Sequence, residues 1–187
     1  MHDGPAAAHA HPAAPALAAE RARPSDYSLY NLESEWCDQH GQPRQLGSLA
    51  GRVQVVAMVY THRAYAFPRI LMDLKRIEGE LAAEHADDVG FVLVSIDPER
   101  DTPERLRHFA EATHRDPARW TLLSGTDADL LELAALLGVK YRRESATDFS
   151  HSNAPTILTP QGEIAQRQLG LGVDPQQTLA VIRRLLK

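Results

Sequence analysis

Two stretches of the chain are apolar at nearly every position. Residues 53–59 read Val-Gln-Val-Val-Ala-Met-Val and residues 90–96 read Gly-Phe-Val-Leu-Val-Ser-Ile, the pattern of central strands covered on both faces. Between them the apolar residues Ile70, Leu71, Leu74, Ile77 and Leu81 recur at helical spacing, so residues 68–85 are predicted as a helix with Pro68 in its first turn. Strand, helix and strand in this order make a βαβ unit, normally parallel and right-handed.

The alternation continues downstream. Pro103 opens a helix with Leu106, Phe109 and Ala110 inward, residues 120–123 fit a short strand, and Asp127 starts a helix over Leu130 to Leu137 that Gly138 closes. Residues 155–158 and 164–169 flank a turn carrying Pro160 and Gly162 and read as an antiparallel hairpin. A final helix begins at Asp174 and Pro175 with a capping-box-like Gln177, and it is expected to bury Leu179, Ile182, Leu185 and Leu186. Residues 1–24 are Ala, Pro and His without hydrophobic period, and four prolines interrupt them. They are expected to form a disordered arm, leaving residues 25–187 as one domain. The order of elements is that of an α/β thioredoxin-like fold: a central mixed β-sheet flanked by helices, with an N-terminal hairpin around Trp36 and Cys37.

Charge and cysteine count narrow the chemistry. With 20 Lys and Arg against 25 Asp and Glu the net charge is −5, and no long basic run is present. This argues against nucleic acid or an anionic membrane surface as partner. No segment reaches the roughly 18 apolar residues of a membrane span. The first residues lack the basic start and apolar stretch of a secretory signal, which leaves a cytosolic protein or the mature form of an exported one. A single cysteine, Cys37, cannot form an intramolecular disulfide, a dithiol couple or a Cys-rich zinc site.

Residues 60–70 join the first buried strand to its helix, where this fold places its chemistry because the helix N-terminus lowers the pKa of a thiol. Tyr60 and Thr61 followed by a short spacer, with Pro68 at the helix start, resemble the Sco/SenC motif Tyr-Thr, spacer, Cys-x-x-x-Cys-Pro. The stretch from Ser95 to Glu104, Ser-Ile-Asp-Pro-Glu-Arg-Asp-Thr-Pro-Glu, is similar to that family's Ser-x-Asp-Pro-x-x-Asp-Thr segment. Trp120 to Gly125 resembles its Trp-x-x-Leu-x-Gly stretch, Asp148 to Ser152 its histidine loop, and Pro160 to Glu163 its hairpin turn. The resemblance runs from Leu29 to the C-terminus. It implies a periplasmic or membrane-anchored protein that binds copper through two cysteines and the histidine, or uses the cysteines as a dithiol, during assembly of the dinuclear copper site of cytochrome c oxidase. Soft thiolates suit Cu(I) and imidazole suits Cu(II).

The chain departs from that pattern at the two cysteine positions, which hold Arg63 and Phe67. Neither side chain offers a lone pair to a metal or a redox group near neutral pH. Thiol chemistry of the thioredoxin, peroxiredoxin and isomerase kinds is therefore excluded at the usual place, and the protein is expected not to be an enzyme. An Arg and Phe pair, where a designed knock-out would carry Ser or Ala, reads as natural divergence.

Any metal would have to use histidines. His151 matches the family's copper histidine; the alternative is a relic hydrogen-bonded to Asp148 or to backbone. His62 could join it, or be an ordinary exposed loop residue. His2, His9 and His11 form His-x₆-His-x-His in the arm, either a copper-binding tract or incidental low complexity. Pro155 with Thr156 resembles the proline segment that thioredoxin folds set opposite the active loop, and Arg63 is expected to find a carboxylate partner across this cleft in Asp97 or Asp148. Met58 and Met72 are expected in the core, Cys37 as an inert thiol, and His85, His108 and His114 at helix surfaces without a role. The implied partners are copper and an oxidase-assembly protein, with the chain itself a monomer. A metal-free docking protein is the second reading, and lone-thiol activity of Cys37 the third.

Overall fold

The computed structural model of the chain describes residues 24–59, 61, 66–82, 85, 87–143, 149–151, 155–168, 170 and 172–187, with backbone alone at 66–68, 141–143 and 149–151. The expected arm lies outside the described residues. A hairpin of β1 (Trp36–Asp38) and β2 (Pro43–Arg44) precedes β3 (Val53–Val59), α1 (Ala66–Leu81) and β4 (Val89–Ser95). Then follow α2 (Pro103–Ala112), β5 (Trp120–Ser124) and α3 (Asp127–Leu137). The chain closes with β6 (Tyr141–Arg143), β7 (Phe149–His151), β8 (Thr156–Leu158), β9 (Ile164–Arg167) and α4 (Gln176–Leu185).

The main sheet runs β2-β1-β5-β4-β3-β8-β9. Strands β3, β4 and β5 are parallel, while β1 joins β5 and β8 joins β3 antiparallel. Every residue of β3 and β4 is buried, because alternate side chains enter two cores on opposite faces. Val53, Val55, Phe91 and Leu93 pack with Ile70, Leu74 and Ile77 of α1 and Leu179 and Ile182 of α4. Val56, Met58, Val92 and Val94 pack with Leu130, Leu133 and Leu137 of α3. Each such aliphatic side chain contributes roughly 1.5–3 kcal/mol on full burial, so the continuous apolar runs explain the central position of these strands.

Local signals set the helix ends. Thr102 caps α2 ahead of Pro103, Thr126 and Asp129 form a reciprocal capping box on α3, and Gly138 ends that helix at φ 68°, a left-handed backbone that glycine adopts without steric cost. Three expectations need correction. The box foreseen at Asp174 and Gln177 is not formed: Pro175 is the cap residue, and Asp174 Oδ1 accepts instead from the Gln176 N–H at 3.1 Å. Met72 is 57% exposed, since it points away from the stripe of Leu71 and Leu74. Leu185 and Leu186 are half-buried at the rim of the core, as is Phe109. His151 belongs to a separate two-stranded sheet, where it stands opposite Tyr141.

Candidate functional site

Parallel strands deliver their C-terminal ends to one edge of the sheet. Val59 stands beside Ser95, and Val94 beside Leu123. Beyond β3 the chain reaches Thr61, and α1 begins five residues later. Pro155 precedes Thr156, which pairs with Val56 in antiparallel sense, so the chain enters β8 from this same edge.

The motif after β4 turns its carboxylates inward. Asp97 and Asp101 are both fully buried. Asp101 Oδ2 accepts from the Ser95 hydroxyl at 2.5 Å, and Oδ1 accepts from the Thr61 hydroxyl. Ser95 Oγ accepts in turn from the Asp97 N–H at 3.1 Å, while the Asp97 carbonyl accepts from the N–H groups of Arg100 and Asp101 at 3.1 and 2.9 Å. Asp101 thus ties the end of β3 to the end of β4 at the threshold of the loop. Asp97 Oδ2 pairs with Arg100 Nη1 at 3.1 Å. Its Oδ1 is buried without a hydrogen-bond partner among the described residues, a state that costs about 1–3 kcal/mol unless another donor arrives.

Asp101→Ala is expected to destabilise the fold by about 3 kcal/mol, because two charge-assisted hydrogen bonds are lost from a buried cluster. Thermal unfolding monitored by circular dichroism would show the midpoint falling by roughly 6–12 °C. Asp101→Asn, which keeps one acceptor, would lose less than half as much. A midpoint within 2 °C of the parent for the alanine variant would refute the fastening role.

The other foreseen residues fall as follows. Phe67 lies in the first turn of α1 and His151 at the end of β7, each described by backbone only. His2, His9, His11, His62, Arg63 and Asp148, and the Ala154–Pro155 bond, lie outside the described residues. Pro155 is buried, and the hydroxyl of Thr156 beside it is buried without a partner among the described residues. Among the described residues no three His, Cys, Asp or Glu side chains gather as metal ligands.

Cys37 stands in β1 between Pro43 and Ser124. It therefore lies at the same sheet edge as the loop but across β5 and β4 from β3, in an open groove with Pro98 and Gly125. The hairpin that carries it is held by Asp38. Burial alone would raise that carboxyl, but the Gln42 N–H, the Arg44 guanidinium and the His40 N–H hold it below the ordinary carboxylate value.

Residue-by-residue reading missed two features. Gln39 is buried and bridges β5, donating to the Trp120 carbonyl at 3.0 Å and accepting from the Leu122 N–H at 2.9 Å. His108 projects from α2 beside Thr61, where Arg105 and Phe109 complete a cavity of about 360 Å³. The i, i+3 spacing of Arg105 and His108 after the Asp-Thr-Pro motif was the available signal.

The SCO1/SenC family profile matches residues 25–187. A candidate copper-binding protein of Stutzerimonas stutzeri is 28% identical over 134 residues, covering 70% of this chain and 64% of that protein, so the chain spans just under two thirds of that relative. The SCO1 protein homolog of Bacillus subtilis is 26% identical over 141 residues, 74% of this chain and 72% of that one. Among solved structures, copper-bound ScoI of Arabidopsis thaliana superposes with a TM-score of 0.72 at 18% identity, covering 82% of this chain and 95% of that chain. A SCO1/SenC family lipoprotein of Bacillus anthracis gives 0.74 at 23%, covering 85% and 96%. These structures share the fold, and the profile, reaching from the first described strands through the inward-turned Asp97 and Asp101 to the C-terminal helix, places the chain in the SCO1/SenC family.

Proposed function

We propose that this chain is a Sco/SenC protein of copper handling and cytochrome c oxidase assembly, working in or facing the periplasm, in which the two-cysteine site has been lost. The observation that carries this reading is the position of the single thiol. Cys37 lies in β1, on the far side of β5 and β4 from the strand that leads into the motif loop, while the loop's own cysteine positions hold Arg63 and Phe67. The family's thiolate site does not fit this donor set, since a guanidinium and a phenyl ring give copper nothing to bind. Copper as cargo would be held through His151 and His62, or through His2, His9 and His11. Support for copper comes from the Stutzerimonas relative named for it and from the Arabidopsis protein solved with it; support for an anchored location comes from the Bacillus anthracis lipoprotein. No enzymatic activity is proposed.

Asp97 favours the second reading, a metal-free docking protein. Its unpartnered Oδ1 is a buried acceptor beside the motif, and the Arg63 guanidinium is the donor the loop sequence supplies. An ion pair there would close the former metal site with protein.

A Cu(II) titration of the full chain separates the readings. One equivalent bound, then lost when His2, His9 and His11 are replaced together by Ala, puts the cargo site in the arm. One equivalent that survives this change and is lost in His151→Ala puts it in the cleft. Absence of binding by the parent chain rejects the copper reading and leaves the docking protein.

A further inference from the structure

A groove of about 780 Å³ runs between the segment 31–35 and one flank of α3. Leu32 lies half-buried in it, and Glu33, Glu35, Asp129 and Glu132 stand on its two walls, with no Lys, Arg or His among the lining residues. None of these four carboxylates forms an ion pair among the described residues. The helix beside them is apolar on its outward side as well: Leu131 and Leu136 are 59% and 42% exposed. Leu136 follows Asp129 and Glu132 at i, i+3, i+7 spacing, which puts it on the groove's side of α3. This unpartnered face suits an occupant that brings positive charge together with an apolar side chain.

The chain itself brings both to the end of the groove. The Ser25 carbonyl accepts from Asn31 Nδ2 at 2.7 Å, and Asn31 lines the groove, so the sequence that precedes residue 25 starts beside it. Residues 16–23 read Ala-Leu-Ala-Ala-Glu-Arg-Ala-Arg. In an extended backbone, which Pro24 favours for Arg23, successive side chains alternate, so Leu17, Arg21 and Arg23 share one face and Glu20 takes the other. At up to about 3.5 Å per residue, the tether to Ser25 holds both guanidinium groups near the carboxylates.

We infer that residues 16–23 dock in this groove, with Arg21 and Arg23 against the four carboxylates and Leu17 against Leu136. Surface ion pairs are individually weak, but a short tether gives the arm an effective concentration in the millimolar range, so contacts too weak to hold a free peptide hold this one. Docking anchors the tract of His2, His9 and His11 on the α3 side of the sheet.

Amide line broadening in the isotope-labelled full chain tests this, with a nitroxide on Leu131→Cys in a Cys37→Ser background. At low ionic strength the nitroxide is expected to broaden residues 16–23 about threefold more than residues 6–11, since a docked segment stays beside α3. Arg21→Glu with Arg23→Glu is expected to bring the two stretches to the same level. Glu33→Gln with Glu132→Gln, which leaves the arm intact, is expected to reduce the difference by about half. A mixture of nitroxide-bearing chain without isotope and isotope-labelled chain without nitroxide separates the occupants. No broadening in the mixture keeps the contact within one chain, whereas broadening there assigns the groove to the arm of a second copy and overturns the inference. Equal broadening of the two stretches in the parent, or a difference unchanged in either charge variant, also overturns it.

Discussion

Trp120→Ala is expected to cost about 4 kcal/mol of stability, lowering the thermal midpoint by roughly 8–16 °C for a domain of this size. Trp120 is fully buried, stacks on Phe91 at 4.6 Å between ring centroids, and lies under the Arg115 guanidinium at 4.7 Å. Its indole N–H donates to Glu78 Oε1 at 2.8 Å, and that carboxylate also holds Arg115 and Arg119. The substitution therefore leaves a large cavity in the α1 face of the sheet and removes the donor that fixes Glu78. Trp120→Phe separates the two effects: most of the ring stacking survives while the hydrogen bond goes, so a loss of about 1–2 kcal/mol is expected. Urea unfolding with an unchanged slope would confirm that the folded state is the one affected. A loss below 1.5 kcal/mol for the alanine variant would mean that the site collapses around the deletion.

Restoring both cysteines by Arg63→Cys with Phe67→Cys is expected to raise Cu(I) affinity on the order of a thousandfold over the parent chain, measured by competition with a colorimetric Cu(I) chelator. The spacing of the two positions is that of the family motif, and a helix N-terminus favours thiolate at its first turn. Either single replacement is expected to give a small part of the gain, since one thiolate cannot hold Cu(I) against a chelator. Adding His151→Ala to the double variant is expected to reduce affinity again. If the double variant binds no better than the parent, the loop has diverged in backbone as well as in side chains, and loss of two ligands is not a sufficient description of the site.

Elements whose side chains alternate between two buried faces could be read from sequence, because burial on both sides leaves no polar positions to interrupt the run. This is why β3 and β4 are legible to within one residue, while the starts of α2 at Pro103 and α3 at Asp127 and the end of α3 at Gly138 are legible from local helix-end signals. Short elements were not. Tyr141–Arg143 and Phe149–His151 pair only with each other, and three residues of mixed polarity carry no period. Met72 was misplaced because an apolar residue adjacent to an apolar stripe is indistinguishable from it by composition, although the 100° step of the helix turns it outward. At the site, the motif residues Asp97 and Asp101 were visible, but their inward orientation was not. Carboxylates are expected at surfaces, and here burial is sustained by hydroxyls that only the folded chain brings near: Ser95 from β4 and Thr61 from beyond β3.

The pairing of β3 with β8 bears on the order in which the molecule assembles. Val55 stands opposite Ile157, so one side of a strand buried along its whole length stays open until the last fifth of the chain is available. The unit from β3 to β5 can form with local crossovers alone, but it would expose a row of free backbone donors and acceptors on an apolar strand, a template for association with another copy. The contact that closes it carries a large loop-closure cost and comes late. Chains ending before residue 156 should therefore aggregate rather than merely lose a terminal hairpin, and in the intact protein β8 and β9 act as the seal that ends the growth of the sheet.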